Sequence, residues 1–237
     1  MNSIHERGAR RRPEGLSLVE LMVVVAALGV LCSLLLPSLA EVTFRARNAK
    51  SISNLRSIGI VLLAYSADHQ GNLPYRIENV VLPGGGTASN LSWHARLVVD
   101  GYVKSRDVFF NPKEKYKSWA QFLADPQVDA SLKTSTTAWL PVYGLRSASM
   151  EPLSLPRIAQ PSKFFVMTES WCTATNFPGY FVSSDPAWKV KIDKNGHANT
   201  LFADGHVEAR EANYFLGLQN TPVEETGGGK YSVWSEP

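Results

Sequence analysis

Cysteine is almost absent from this chain: 237 residues hold two, Cys32 and Cys172. Neither has a second cysteine close by, which excludes a zinc knuckle or ribbon. With Cys32 inside an apolar run and Cys172 far downstream, no intramolecular disulfide is expected. A concentrated basic footprint is missing too. The 24 basic and 21 acidic residues leave a net charge of +3. Arg7, Arg10, Arg11 and Arg12, set against Glu6 and Glu14, put +2 of it into the first fifteen residues, so only +1 remains for the rest. No nucleic-acid partner is expected of such a body. Catalytic signatures are also absent. Gly227-Gly228-Gly229-Lys230 is no phosphate loop, because Glu224 stands where the pattern needs Gly and Tyr231 where it needs Ser or Thr. There is no Gly-x-Ser-x-Gly elbow, no triad spacing and no internal repeat. An enzyme is not expected.

What is present begins with Leu16 to Ala40, LSLVELMVVVAALGVLCSLLLPSLA, in which Glu20 is the only charge. Helix over that stretch would measure ~37 Å, enough for a ~30 Å hydrocarbon core. The arginines before it favour a cytoplasmic N-terminus and a translocated remainder, although Arg45, Arg47 and Lys50 follow it. A buried core helix is a poor alternative for a run that is apolar on all sides. A removable secretory signal is the stronger rival, with Ser38-Leu39-Ala40 as its small-x-small cleavage site. Against it stand the length of the run and Glu20, since a carboxylate within a membrane segment is costly and needs a partner.

Gly15-Leu16-Ser17-Leu18-Val19-Glu20 resembles the prepilin cleavage motif of type IV pilins and type II secretion pseudopilins. The resemblance implies a basic leader that a prepilin peptidase cuts after Gly15, and methylation of the new N-terminus at Leu16. It places Glu20 at the fifth mature position and Pro37 at the twenty-second, where many pilins carry a helix-kinking proline. Leu16 departs from the usual Phe. The chemistry of the residues agrees: cleavage frees an amine four residues before Glu20, and in a bundle of such helices that carboxylate can neutralise a neighbour's amine. Gly15, lacking Cβ, lets a protease approach the backbone, and Pro37 removes one helical N–H.

Beyond the apolar run, Ile52, Leu55, Gly59, Leu62 and Ser66 recur at helical spacing, widened by Ile58 and Leu63. Asn48, Lys50, Ser51, Asn54 and Arg56 are expected on the other faces. The pattern predicts a half-buried helix over 41–69, stopped by Gly71, Asn72 and Pro74. Later signals are short: a helix over 91–100, a strand at Lys163–Glu169, and a hairpin around Asp204-Gly205. The expected class is α+β, a long N-terminal helix packed on a small antiparallel-sheet head. The domains expected are a leader (1–15), a transmembrane and filament-core helix (16–40), an amphipathic continuation (41–70) and a globular head (71–237).

Phrases in the head resemble a pilin-like subgroup whose C-terminal region carries His, nine residues, then Asp-Gly. Tyr143-Gly144 is followed by Pro161-Ser162 leading to Glu169, then by Ala198-Asn199-Thr200-Leu201-Phe202-Ala203-Asp204-Gly205-His206-Val207. Lys194 stands at the position of the named histidine, with His197 displaced, and Asn111-Pro112 replaces the usual Cys-Pro. His197, Asp204 and His206 offer metal ligands, but too few for zinc, so no metal site is expected and an Asp-Gly turn with solvated histidines is the preferred reading. Calcium is the cofactor that the resemblance to major pseudopilins brings into view, with Asp185, Asp193 and Asp204 as available oxygens, though without EF-hand spacing. Trp93, Trp119, Trp171, Trp188 and Trp234 read as core or contact residues before they read as a sugar platform.

The function expected from all this is a non-enzymatic pseudopilin or type IV pilin-like subunit. Its partners would be a prepilin peptidase, inner-membrane lipid, and self or other pilin-like subunits in a helical filament, with the head periplasmic. The alternative is a secreted or periplasmic binding protein or hydrolase released after Ala40.

Overall fold

A computed structural model describes residues 17–75, 77–82, 86–126, 143–146, 152–173, 178–183, 185–218 and 233–235. The chain divides into two units, one ending at Arg45 and the other running from Ala46 onward. Helix α1, Leu18–Asp68, runs across that division. The class is α+β.

In the first unit, α1 opens on a reciprocal cap. The Ser17 N–H donates to Glu20 Oε2 at 2.8 Å, and the Val19 N–H to Ser17 Oγ at 3.4 Å. Two orphan donors of the first turn are thereby met. Serine and threonine hydroxyls inside the helix turn back onto it: Ser33 Oγ donates to the Val30 carbonyl and Ser38 Oγ to that of Leu35. Such back-bonding satisfies a hydroxyl where the surroundings offer no partner. Pro37 falls within α1, and the helix continues past it.

In the second unit, α1 buries Leu55, Ile58, Leu62 and Tyr65. Glycine at 59 allows close packing there, since a Cβ would stand 2.9 Å from Leu201 Cδ1. The helix ends where Gln70 and Gly71 take positive φ and the Gly71 N–H reaches back to the Ser66 carbonyl at 2.7 Å. This 6→1 closure needs little more than a residue without Cβ. At Gly71 a Cβ would also strike Pro156, 2.5 Å away.

Among the described residues the head holds three sheets. The largest has five strands: β3 (Gly144–Arg146), β4 (Phe165–Thr168), β6 (Phe181–Val182), β8 (His197–Phe202) and β9 (Val207–Glu211). Their order is β6-β3-β4-β8-β9. It is a mixed sheet, not the antiparallel one the sequence suggests, because β3 and β6 pair parallel. Two such short strands are brought side by side by tertiary packing, which periodicity does not report. A three-stranded sheet sets β7 (Trp188–Ile192) between β5 (Ser170–Cys172) and β10 (Val233–Ser235). The third is the hairpin of β1 (Ile77–Leu82) and β2 (Gly86–Ser92).

All four residues of β4 are buried, as a strand covered on both faces requires. Val166 and Met167 join Leu55, Ile58 and Leu62 in the main core, while Phe165 packs with Phe202 and Phe215 in a second. Phe215 comes from a short helix, α4 (Ala212–Gly217), preceded in the chain by α2 (Trp93–Val99) and α3 (Trp119–Ala124). The expected hairpin forms as β8–β9, with Leu201 opposite Val207 and a turn at Gly205 of positive φ.

Candidate functional site

Two features of α1 invite a functional reading, one in each unit. The first is its apolar start. Leu18, Val19, Leu21, Met22 and the leucines and valines onward to Leu39 are each more than half exposed. The stretch is long and apolar enough to cross a membrane, and none of it is buried. Glu20 lies in the first turn, where its carboxylate accepts from the Ser17 N–H at the positive end of the helix. Gly15 and Leu16 lie outside the described residues.

The second feature is a polar seam in the head unit, buried between α1 and the sheets. It forms where the chain changes sheets. Glu169 separates β4 of the five-stranded sheet from β5 of the three-stranded one, and Asp193 begins the turn between β7 and β8, which also belong to different sheets. Ser51 of α1 donates to Glu169 Oε1 at 2.9 Å and Asn199 Nδ2 donates to the same oxygen at 3.2 Å. Lys113 Nζ stands 2.6 Å from Glu169 Oε2 and 3.2 Å from Asp193 Oδ2. Asn48 Oδ1 accepts from Asn199 Nδ2 at 2.7 Å and from Lys113 Nζ at 3.4 Å. A second ion pair, Lys191 with Glu114 at 2.7 Å, lies alongside with both side chains 8% exposed. Lys191 also sits 4.7 Å from the ring centre of Trp171.

Buried charges of this kind are tolerable only when paired and hydrogen-bonded throughout. Here every charge has an opposite partner, and Glu169 accepts from three side chains. Tyr143, whose hydroxyl donates to Ser51 Oγ at 3.0 Å, closes the network, and burial pushes its phenol far above the ordinary range. Asn54 of α1 donates to the Phe110 carbonyl at 3.2 Å.

The seam corrects one expectation. Ser51 and Asn54 face the head and are 0% and 5% exposed, whereas their polarity had assigned them to the solvent face. The signal was their position: Ser51 is one turn before Leu55 on the apolar stripe. Lys113 carried no local signal at all.

The candidate calcium oxygens are engaged separately. Asp185 accepts from the Ala187 N–H, Asp204 from the His206 N–H and ring, and Asp193 meets Lys113. Among the described residues, no three His, Cys, Asp or Glu side chains gather as an ion would require. Cys32 is exposed and Cys172 buried, and both are free. Trp93 and Trp188 are core residues.

A buried histidine lies elsewhere in the head. His94 Nε2 is 2.7 Å from Ser92 Oγ, its Nδ1 has no partner among the described residues, and burial followed by the nearby Arg106 charge lowers its pKa to about 3. It is fully enclosed, so the pair is a packing element and no accessible nucleophile.

No family model, no curated protein and no solved structure matches this chain. The class that fold and site define is therefore stated in structural terms: an α+β head carrying, on its own N-terminal helix, an apolar segment long enough to span a bilayer.

Proposed function

We propose that the chain is a pilin-like structural subunit, a pseudopilin in the broad sense, matured by a prepilin peptidase and assembled into a type II secretion or type IV pilus-like filament. The observation that carries this reading is a helix, Leu18–Asp68, whose first part exposes apolar side chains on all faces while its last part belongs to the head core. Before assembly the apolar part sits in the inner membrane, with the leader cytoplasmic and the head on the far side, as the leader arginines favour. On assembly it exchanges lipid for the same segment of neighbouring subunits. Such a contact is heterologous and does not close, so it propagates as a helical filament.

Glu20 is the residue on which assembly turns. In the isolated chain its carboxylate is occupied by its own first turn. In a bundle it meets the amine that cleavage before Leu16 sets free, and the pair offsets a desolvation cost that neither ion bears alone. Pro37 lies on the same segment and adapts the helix there.

N-terminal sequencing of the mature protein tests the reading. A start at Leu16 is expected. A start at Glu41 would mean a signal peptidase releases the head, and the filament role would fall.

A further inference from the structure

The buried seam holds a lysine between two carboxylates in a manner that suits a covalent step. We propose that Lys113 and Asp193 condense to an isopeptide bond, with Glu169 moving the protons. The proposal is independent of whether the chain assembles.

Three groups are pre-positioned. Lys113, 9% exposed, is fixed by its own backbone N–H on Asn111 Oδ1 at 3.1 Å, and its Nζ is the nucleophile. Asp193, 12% exposed, is the acceptor. Its Oδ1 takes N–H bonds from Asn195 at 2.9 Å and His197 at 3.2 Å, which leaves Oδ2 facing Nζ. Two N–H donors on one oxygen stabilise the negative charge that develops there when a nucleophile attacks the carboxyl carbon. Glu169, 2% exposed, lies 2.6 Å from Nζ through Oε2, and its other oxygen is held by Ser51 and Asn199. That carboxylate cannot swing away, and it touches no bulk water that would compete for its proton.

The step balances without a co-reactant. Glu169 takes one proton from the Lys113 ammonium and delivers it to Asp193 Oδ2. The freed nitrogen lone pair forms the N–Cγ bond and pushes charge onto Oδ1. Glu169 then carries a second proton from nitrogen to Oδ2, and the Cγ–Oδ2 bond breaks as water leaves. One ammonium and one carboxylate become one secondary amide and one water, and Glu169 ends as it began. In bulk water such a condensation is unfavourable. Here two ions already held in contact become one neutral amide, so proximity and the loss of two buried charges favour the step, while Glu169 gives up its lysine partner and keeps the hydrogen bonds from Ser51 and Asn199. The bond would tie the loop after Phe110 to the β7–β8 turn, across the place where Asn48 of α1 docks.

Intact-mass spectrometry of the detergent-purified full-length chain tests this, with the N-terminus read in the same sample. The expected wild-type mass is one water below that of the sequence counted from the N-terminus found, with any N-terminal methyl group included, and a protease digest contains a branched peptide joining Lys113 to Asp193. Glu169→Gln and Asp193→Ala should each show the full mass. A wild-type chain at full mass, with Lys113 and Asp193 on separate peptides, overturns the proposal and leaves a structural ion pair. A chain lighter by one ammonia, branched from Lys113 to Asn48, overturns the choice of Asp193. Because the wild type alone decides, a variant that fails to fold does not blur the result.

Discussion

One helix supplies two opposite environments. Leu31 and Leu55 are the same side chain on the same element, yet Leu31 is 57% exposed and Leu55 is fully buried. What differs is the pattern around them. From Leu21 to Leu36 no residue is charged, so no face is distinguished and the helix cannot turn a polar side to water. After Glu41 the charges return at Arg45, Arg47, Lys50 and Arg56, and the buried apolar residues Leu55, Ile58, Leu62 and Tyr65 form one stripe, while Val42, Ile60 and Leu63, the last expected to widen that stripe, stay exposed. A striped helix is completed by its own head, whereas an unstriped one exposes apolar surface on every side, which under the proposed function is covered by lipid or by other copies.

The comparison predicts unequal consequences for unequal cuts. A chain begun at Ala46 should fold, because it keeps Asn48, Ser51 and the buried stripe. One begun at Asn72 loses Leu55, Ile58, Leu62 and Tyr65, each worth ~1.5–3 kcal/mol of burial. The sum approaches the whole ~5–15 kcal/mol stability of a domain, so the shorter chain should not give a cooperative thermal transition. Similar melting of the two chains would show that the helix does not complete the head.

Single side chains sharpen the same contrast. Leu55→Ala should cost the head about 2–5 kcal/mol, the usual cost of a core cavity. Leu31→Ala should leave head unfolding unchanged, whatever it does to assembly. Denaturant midpoints of the two variants in detergent check this directly.

A third effect lies in the head alone. His94 is neutral in the folded chain down to about pH 3, while the unfolded histidine takes up a proton near pH 6.5. Between those values the unfolded state binds more protons, so stability falls as pH falls. Acidifying from pH 7.5 to 5 should cost about 2 kcal/mol through this residue. His94→Leu should flatten that part of the stability–pH curve, and an unchanged slope would remove the account of its burial.

The smallest effect belongs to the exposed ion pair of Arg45 and Glu41, 2.9 Å apart with side chains 77% and 43% exposed. Glu41→Gln should change helix or head stability by less than ~0.5 kcal/mol. A larger loss would mean that this stretch is buried in some state of the isolated chain.

Much of this division was legible in residue order. The apolar run, the stripe from Ile52 to Ser66 and the Asp204-Gly205 hairpin each write their period or turn chemistry locally. The Ser17-x-x-Glu20 cap was legible too, but Glu20 drew attention for its charge and not for its spacing from Ser17. The seam was not legible. Ser51 and Asn54 are polar, and polarity alone assigns a residue to solvent unless its partners are known. Those partners are remote: Ser51 meets Glu169 across 118 positions and Asn48 meets Asn199 across 151. The parallel pairing of β3 with β6 is hidden for the same reason, since neither short strand carries a mark of its neighbour. Gly15 and Leu16, on which maturation is proposed to depend, are read from sequence alone.

The central claim is that the apolar half of α1 is completed by other copies of itself, with Glu20 as the charge that makes the contact specific. Glu20→Ala removes a carboxylate from an apolar segment, so insertion into the membrane should become easier. In a filament it leaves a neighbour's ammonium unpaired where an isolated ion costs several kcal/mol. Shearing cells that make only this variant and measuring subunit in the released fraction tests the claim most directly. The account predicts a processed, membrane-inserted protein with almost none in the sheared fraction. Release at the wild-type level would contradict it.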